Sequence, residues 1–136
     1  EREKRWRIAI LKKIQGYIKG GCVGDLDLID TPIAALPKEL KRVGGNLWLN
    51  GAKITSLPND LHLSLGLFLT DTPITSLPNG LRVGGYLDLT DSKITSLPND
   101  LHVGGSLDLS GTPIAKSYSK EEIRRMVPNV KGNIYV

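Results

Sequence analysis

Residues 77–89 read LPNGLRVGGYLDL, and residues 97–109 repeat them as LPNDLHVGGSLDL. The two stretches begin 20 residues apart, and a spacing of 20 or 21 residues extends back to residue 26. A fixed period of this length predicts a solenoid, because each unit buries its apolar face only by stacking on its neighbours. Function is therefore expected on the surface that the stacked repeats form together.

Each repeat carries a Leu-x-Leu pair, and the pairs start at Leu26, Leu47, Leu67, Leu87 and Leu107. This alternation predicts a half-buried strand with both leucines inward and the middle residue outward. Leu-Pro follows ten residues after four of these starts, and proline in the return arm favours an extended arm over a helix. Glycine pairs such as Gly84-Gly85 precede the strands, favour a tight backbone approach and permit positive φ.

The stretch LDLTDSKITSLP, residues 87–98, resembles the LxLxxNxLxxLP core of leucine-rich repeats, and the likeness covers residues 22–115. It is most similar to bacterial repeats of about 20 residues with Leu-Pro in the convex arm. The resemblance implies a leucine-rich-repeat solenoid, α/β by class and mainly β here, with a curved parallel sheet of five to six short strands. The family's asparagine is replaced by Thr31, Ala52, Thr72, Ser92 and Thr112. Hydroxyl groups can bond the backbone inside that turn, whereas Ala52 cannot, so a looser or hydrated turn is expected there.

Both ends of the chain carry a predicted cap. Residues 1–21 form an amphipathic helix with an apolar stripe, ended by Gly20-Gly21, and the stripe is Trp6, Ile10, Ile14 and Ile18. Residues 116–136 form the second cap, in which Ser119 and Glu122 have the spacing of a capping box. A short helix to Met126 and a last strand at 134–136 are expected. The chain opens on Glu1 instead of Met, as in a trimmed or partial chain, yet the two caps predict a complete module.

Composition and charge limit the class of protein. The 136 residues are enough for one domain, and the formal net charge is +4. Residues 1–20 contribute +5 of this, so the remaining 116 residues sum to −1. One cysteine excludes an internal disulfide framework and favours a reducing, cytoplasmic location. The sequence predicts neither a transmembrane helix nor a signal peptide.

Candidate binding residues lie at the outward positions of the strands, which face the concave surface. Trp48 and Phe68 occupy a column that otherwise holds Asp27, Asp88 and Asp108, and Tyr86 lies in the flanking column. Aromatic residues in such settings are typical hot spots for protein partners, so these six residues are the predicted partner-binding site. The opposing interpretation is that Trp48 and Phe68 pack under a cap or on each other. The favoured function is a non-enzymatic protein-binding module, by resemblance an inhibitor or effector.

Two other partners fit the same sequence. The basic helix could contact phosphates of nucleic acid or an anionic membrane through Arg2, Lys4, Arg5, Arg7, Lys12 and Lys13. The more ordinary interpretation is the solvated face of a capping helix. Trp48 and Phe68 could instead stack on a carbohydrate.

Catalysis, metals and cofactors are not expected. Asp88 and Asp108 lie on neighbouring strands, but a smooth sheet rarely forms the pocket that an enzyme needs. His62 and His102 are two turns apart, about 10 Å, which is too far to share one metal. Cys22 lacks an accompanying motif and is predicted to be a buried spacer. No dinucleotide or phosphate-binding loop motif occurs in the sequence.

Overall fold

The computed structural model describes residues 2–136, which form three helices and ten strands of two residues each. The helices are α1 (Arg2–Lys19), α2 (Pro113–Ser117) and α3 (Lys120–Met126). The strands are β1 (Leu26–Asp27), β2 (Arg42–Val43), β3 (Leu47–Trp48), β4 (His62–Leu63), β5 (Leu67–Phe68), β6 (Arg82–Val83), β7 (Leu87–Asp88), β8 (His102–Val103), β9 (Leu107–Asp108) and β10 (Ile134–Tyr135). Of the helices in this part of the chain, none has the length and apolarity needed to cross a bilayer.

The strands form two parallel sheets that run side by side along the solenoid. The main sheet has the order β1-β3-β5-β7-β9-β10, and the second sheet has the order β2-β4-β6-β8. Leu47 pairs with Leu67 in register, and the Leu47 N–H donates to the Gly66 carbonyl at 2.9 Å. The inward leucines of the main sheet are fully buried, as the alternation predicted. The parallel solenoid and its six-stranded sheet are therefore confirmed.

The second sheet is a feature that the sequence did not predict. Its inward residues are the buried column Val43, Leu63, Val83 and Val103. The alternation was present in the sequence, since buried Leu81 and Val83 flank exposed Arg82, but it was not recognised as a strand. The repeat of this apolar column was visible in the sequence, but the hydrogen bonds between its strands were not.

A side-chain hydroxyl closes the turn after the main-sheet strand in three of the five repeats. The hydroxyls of Thr31, Thr72 and Thr112 donate to carbonyls three residues earlier, at 2.9, 2.8 and 2.6 Å. The Ser92 hydroxyl, contrary to the expectation from the sequence, is buried without a hydrogen bond to any described residue. The looser turn expected at Ala52 is wrong, because the Ala52 N–H donates to the Leu49 carbonyl at 3.0 Å and the side chain is fully buried. The backbone bond alone therefore holds this turn, and the methyl group fills the place of the hydroxyl.

The glycine pairs serve close approach and do not have positive φ. A Cβ on Gly84 would lie 2.3 Å from the carbonyl oxygen of Ser64, and one on Gly104 would lie 2.3 Å from that of Gly84. Positive φ occurs instead at other glycines and in the turns after the main-sheet strands, for example at Asp71 and at its equivalent in the next repeat, Asp91. The pairs thus allow successive repeats to stack with backbone against backbone.

Helix α1 closes the first edge of the main sheet. Ile10 and Ile14 are buried, and the Lys13 ammonium donates to the Asp27 carbonyl at 2.6 Å. The Tyr17 hydroxyl lies 2.8 Å from the Gly24 carbonyl oxygen. The predicted helix is confirmed over Arg2–Lys19, and Glu1 lies outside the described residues. The predicted apolar stripe is wrong at Trp6, which is 50% exposed, because only the later turns of α1 pack on the repeats.

The other end of the solenoid is closed by α3 and β10. The predicted capping box is present, because Ser119 Oγ accepts from the Glu122 N–H and the Glu122 carboxylate accepts from the Ser119 N–H. Strand β10 adds to β9 as expected, with Tyr135 beside Asp108. The short helix α2 was not predicted; Thr112 caps its first turn.

Candidate functional site

The outward residues of the main sheet form one continuous column on its concave face. Register pairing places them in the order Asp27, Trp48, Phe68, Asp88, Asp108 and Tyr135. The structure therefore brings together the five predicted site residues of this column, and Tyr86 lies beside them in the flanking column.

Three aromatic rings form what we call the aromatic patch: Trp48, Phe68 and Tyr86. The Trp48 and Phe68 rings are stacked, with centroids 4.1 Å apart and planes 9° from parallel. The Phe68 and Tyr86 centroids are 6.4 Å apart. All three side chains are half-buried. Mutual packing and partner binding, the two interpretations of these residues, are therefore compatible. The rings pack on each other and still keep part of their surface exposed.

Gly66 makes room for the Phe68 ring. A Cβ at this position would lie 2.6 Å from Phe68 Cε2 and 2.8 Å from Phe68 Cζ. The Gly66 N–H donates to the Asn46 side-chain oxygen at 2.8 Å, which fixes the backbone below the ring. Gly66 was not among the residues predicted from the sequence. Its signal was that Gly66 is the one glycine in a column that otherwise reads Asp25, Asn46, Tyr86 and Ser106.

Asp25 orients Trp48 and was also missed. The Trp48 indole N–H donates to Asp25 Oδ2 at 3.2 Å, and the Asn46 backbone N–H donates to Asp25 Oδ1 at 2.7 Å. These two donors, the Asn46 amide first, hold the pKa of Asp25 below its usual range. The carboxylate is therefore charged at neutral pH and fixes one edge of the indole.

The three aspartates of the column have a local structural role. Asp27, Asp88 and Asp108 each accept a backbone N–H from two residues further on, at 3.1, 2.9 and 2.9 Å. This bond is the Asx-type turn that short acidic side chains favour. Asp108 also accepts from the Ser110 hydroxyl at 2.6 Å and from the Tyr86 hydroxyl at 3.2 Å.

The electrostatics at Asp108 do not suit a general acid. Partial burial acts to raise the pKa of Asp108, but the hydrogen bonds from Ser110 and Tyr86 outweigh it, and the pKa is lowered. A general acid at neutral pH needs the opposite shift. The paired carboxylates of Asp88 and Asp108 are therefore better explained as turn-forming, charged groups.

Tyr86 gives a testable pH dependence. Burial, followed by the charge and hydrogen bond of Asp108, raises the pKa of Tyr86 from 10.0 to about 12. The folded-state pKa lies above the unfolded value, so this contribution to stability is present below pH 10 and is lost as the pH rises toward 12. Denaturant unfolding at rising alkaline pH should show a steeper loss of stability for the wild type than for Tyr86→Phe. Equal slopes would contradict the shift.

The other singled-out residues lie elsewhere. His62 and His102 are on the second sheet, with Arg82 on the strand between them. This separation leaves no geometry for one shared metal ion. Cys22 is buried and lies between α1 and β1 with φ of 58°. None of these three residues, His62, His102 and Cys22, is paired with a residue of the aromatic patch.

The chain is similar in sequence and fold to a leucine-rich-repeat protein of known structure. No family model matches the chain, and no curated protein matches it. Among solved structures, a leucine-rich-repeat protein from Leptospira interrogans is 27% identical, with a TM-score of 0.53. The match covers 79% of this chain and 30% of that protein, so this chain spans less than a third of its relative's length.

Proposed function

The chain has the leucine-rich-repeat fold, and from this premise we propose that it is a non-enzymatic protein-recognition module. It binds a protein partner on the concave face of the main sheet. Trp48 and Phe68 form the centre of the interface, and Tyr86 adds contact at its rim. Asp27, Asp88 and Asp108 supply charge selection. Occlusion of the partner's surface, as an inhibitor or effector, is the mode of action that such a rigid face supports.

The single observation that carries the proposal is the stacked, half-exposed ring pair. Large aromatic side chains dominate the energetics of many protein interfaces. Here they are already held before binding, by stacking on each other and by the Trp48–Asp25 hydrogen bond. A preordered surface loses little side-chain entropy on association, so more of the contact energy appears as affinity.

Charge defines the chemistry of the partner. Asp27 pairs in register with Trp48, and Asp88 pairs with Phe68, so a carboxylate lies on each side of the ring pair. A complementary surface would place an apolar side chain on the rings and basic groups on either side of it.

The stacking also weighs against carbohydrate binding. A sugar that stacks on an aromatic residue needs an open ring face. One face of the Trp48 ring is covered by Phe68, and the same contact covers one face of Phe68. Each ring therefore has at most one face left for a sugar, and we rank carbohydrate binding below protein recognition.

The basic helix supports the second candidate function, binding to a nucleic acid or an anionic membrane. Residues 2–9 of α1 are all exposed, and they include Arg2, Lys4, Arg5 and Arg7. The Glu3 carboxylate pairs with Arg7 at 2.8 Å, which lowers the free positive charge of this segment. We rank this function below protein recognition, because Ile10, Ile14 and Lys13 already give α1 a capping role.

Affinity capture tests the primary proposal. The wild-type chain is used as bait in a lysate of the source organism, and the captured protein is identified, purified and titrated. We expect Trp48→Ala/Phe68→Ala to weaken its binding by about 1,000-fold, since hot-spot aromatics contribute about 2 kcal/mol each and about 1.4 kcal/mol is tenfold in Kd. Tyr118→Ala is the matched control, because Tyr118 is exposed but lies outside the sheets. It should change Kd by less than about twofold.

Two outcomes would contradict the site assignment. One is an unchanged Kd for the double variant, provided circular dichroism shows that it is folded. The other is loss of binding in Arg5→Gln/Lys12→Gln with a steep salt dependence, which would assign recognition to α1.

A further inference from the structure

The outward face of the second sheet carries a column of basic side chains. Arg42, His62, Arg82 and His102 pair with one another in register on β2, β4, β6 and β8. The first three are exposed and His102 is half-buried. Neighbouring strands of a sheet are about 4.8 Å apart, so Arg42 and Arg82 are about 10 Å apart, with His62 between them.

This basic column has no ion-pair partner in residues 2–136. The single ion pair there within 4.0 Å is that of Glu3 and Arg7 on α1. Asp60 and Asp100 lie in the turns before β4 and β8, but the Asp100 carboxylate accepts the Gly80 N–H instead. Arg42 and Arg82, which have no ion pair in this part of the chain, carry positive charges about 10 Å apart, so an anion that binds between them is attracted by both.

Ser64 breaks the repeat directly beside this column. The equivalent positions in the other repeats are Gly44, Gly84 and Gly104. Ser64 lines a depression of about 90 Å³ together with Arg42 and His62. Its hydroxyl makes no hydrogen bond to any described residue, so it is free to donate to a ligand. The one repeat that departs from glycine thus places a hydroxyl donor in the same depression as Arg42 and His62.

We propose that this depression binds a phosphoryl group carried by a phosphorylated protein side chain. The Arg42 guanidinium donates to two of its oxygens, the Ser64 hydroxyl donates to a third, and His62 and Arg82 complete the positive surroundings. A phosphoryl dianion has three strong acceptor oxygens, whereas a planar carboxylate has only two. The phosphoryl group can therefore accept from the Arg42 guanidinium and the Ser64 hydroxyl at the same time. Arginine clusters are a general means of recognising such groups.

The same surface is less suited to a nucleic acid. Single-stranded nucleic acids are bound by basic grooves with aromatic side chains on which bases stack. The outward columns of the second sheet hold arginine, histidine, glycine and serine, and no aromatic residue lies in them among the described strands. The column also extends over only four strands, about 14 Å.

The proposed site is separate from the aromatic patch and does not depend on it. Two-dimensional ¹H–¹⁵N NMR titrations test it with inorganic phosphate, the peptide Gly-Gly-phosphoserine-Gly-Gly and the same peptide without phosphate. We expect the phosphopeptide and inorganic phosphate to shift the Ser64 and His62 resonances, and the unphosphorylated peptide to leave them unchanged. Trp48→Ala/Phe68→Ala should retain this binding, so failure here and failure of the proposed function are distinguishable.

Variants locate the binding. Arg42→Gln/Arg82→Gln should weaken phosphopeptide binding by about tenfold or more, because it removes the Arg42 donor and the nearby positive charge of Arg82. Arg5→Gln/Lys12→Gln removes the same charge from α1 and should change Kd by less than about twofold. Ser64→Gly restores the residue of the other repeats, so it tests the hydroxyl without threatening the fold, and it should weaken binding by about threefold or more.

Three results would overturn the proposal. The first is equal shifts with the phosphorylated and unphosphorylated peptides. The second is equal loss in the Arg42/Arg82 variant and in the charge-matched α1 variant, which would indicate unspecific attraction. The third is tighter binding of an eight-nucleotide oligothymidylate than of the phosphopeptide at the same residues, which would assign the surface to nucleic acid.

Discussion

Leu67→Ala is expected to lower the free energy of unfolding by about 2–5 kcal/mol. Leu67 is fully buried and pairs in register with Leu47 on one side and Leu87 on the other. Removing its side chain leaves a cavity in the middle of the solenoid, where neither adjacent repeat can move in without breaking its own hydrogen bonds. Since each repeat is stabilised by its neighbours, the loss should appear in the cooperative unfolding of the whole chain.

Leu65→Ala is the matched control for this prediction. Leu65 is in the same repeat, two residues earlier, and is 50% exposed. The same chemical change there should alter stability by less than about 0.5 kcal/mol. Guanidinium unfolding followed by circular dichroism measures both variants. Similar losses in the two would contradict the burial that distinguishes Leu67, at 0% exposure, from Leu65.

This contrast shows which part of the fold a repeat sequence specifies. The inward leucines are predictable because every repeat presents the same residue type at the same position, and that position can face only the core. Leu65 has no leucine at the equivalent positions of its neighbours, where the sequence has Gly45, Gly85 and Gly105. Repetition therefore separates core from surface where hydrophobicity alone could not.

The contacts within the candidate site were harder to predict, because they run diagonally. When the repeats are aligned, Trp48 and Phe68 occupy equivalent positions, and the structure stacks these two rings. The alignment of repeats does not place Trp48 with Asp25, or Phe68 with Gly66, since these residues belong to different columns. The direction in which a ring leans across the sheet decides such contacts, and alternation along a strand does not define it.

Gly104→Ala is expected to destabilise the chain by about 1–3 kcal/mol. The added Cβ would lie 2.3 Å from the carbonyl oxygen of Gly84 and 3.1 Å from its carbonyl carbon. The Gly104 and Gly105 N–H groups donate to the Val83 and Gly85 carbonyls, at 2.8 and 3.0 Å, on either side of this contact. Relief of the clash therefore requires the two repeats to separate. The φ of Gly104 is not positive, which leaves the steric contact as the cause.

Ser64 shows how the chain accommodates a side chain at the equivalent position. Beside it, the hydrogen bond from the Leu65 N–H to the Gly45 carbonyl is 3.2 Å long, against 2.9 Å for Gly85 and 3.0 Å for Gly105 at the same place in the following repeats. The repeats there are slightly further apart. Gly104 lacks this widening, because Gly105 bonds to Gly85 on one side and Gly132 bonds to Gly105 at 2.9 Å on the other.

Gly16→Ala is the matched control, because the same substitution should change the free energy of unfolding in the opposite direction. Gly16 lies inside α1, and a Cβ there would meet nothing within 4 Å. The substitution should therefore stabilise the chain by about 0.5–1 kcal/mol, because alanine loses less backbone entropy in a helix. Opposite signs for Gly104→Ala and Gly16→Ala, measured by denaturant unfolding, are the expected result. A stabilising Gly104→Ala would mean that the glycine pairs do not set the spacing between repeats.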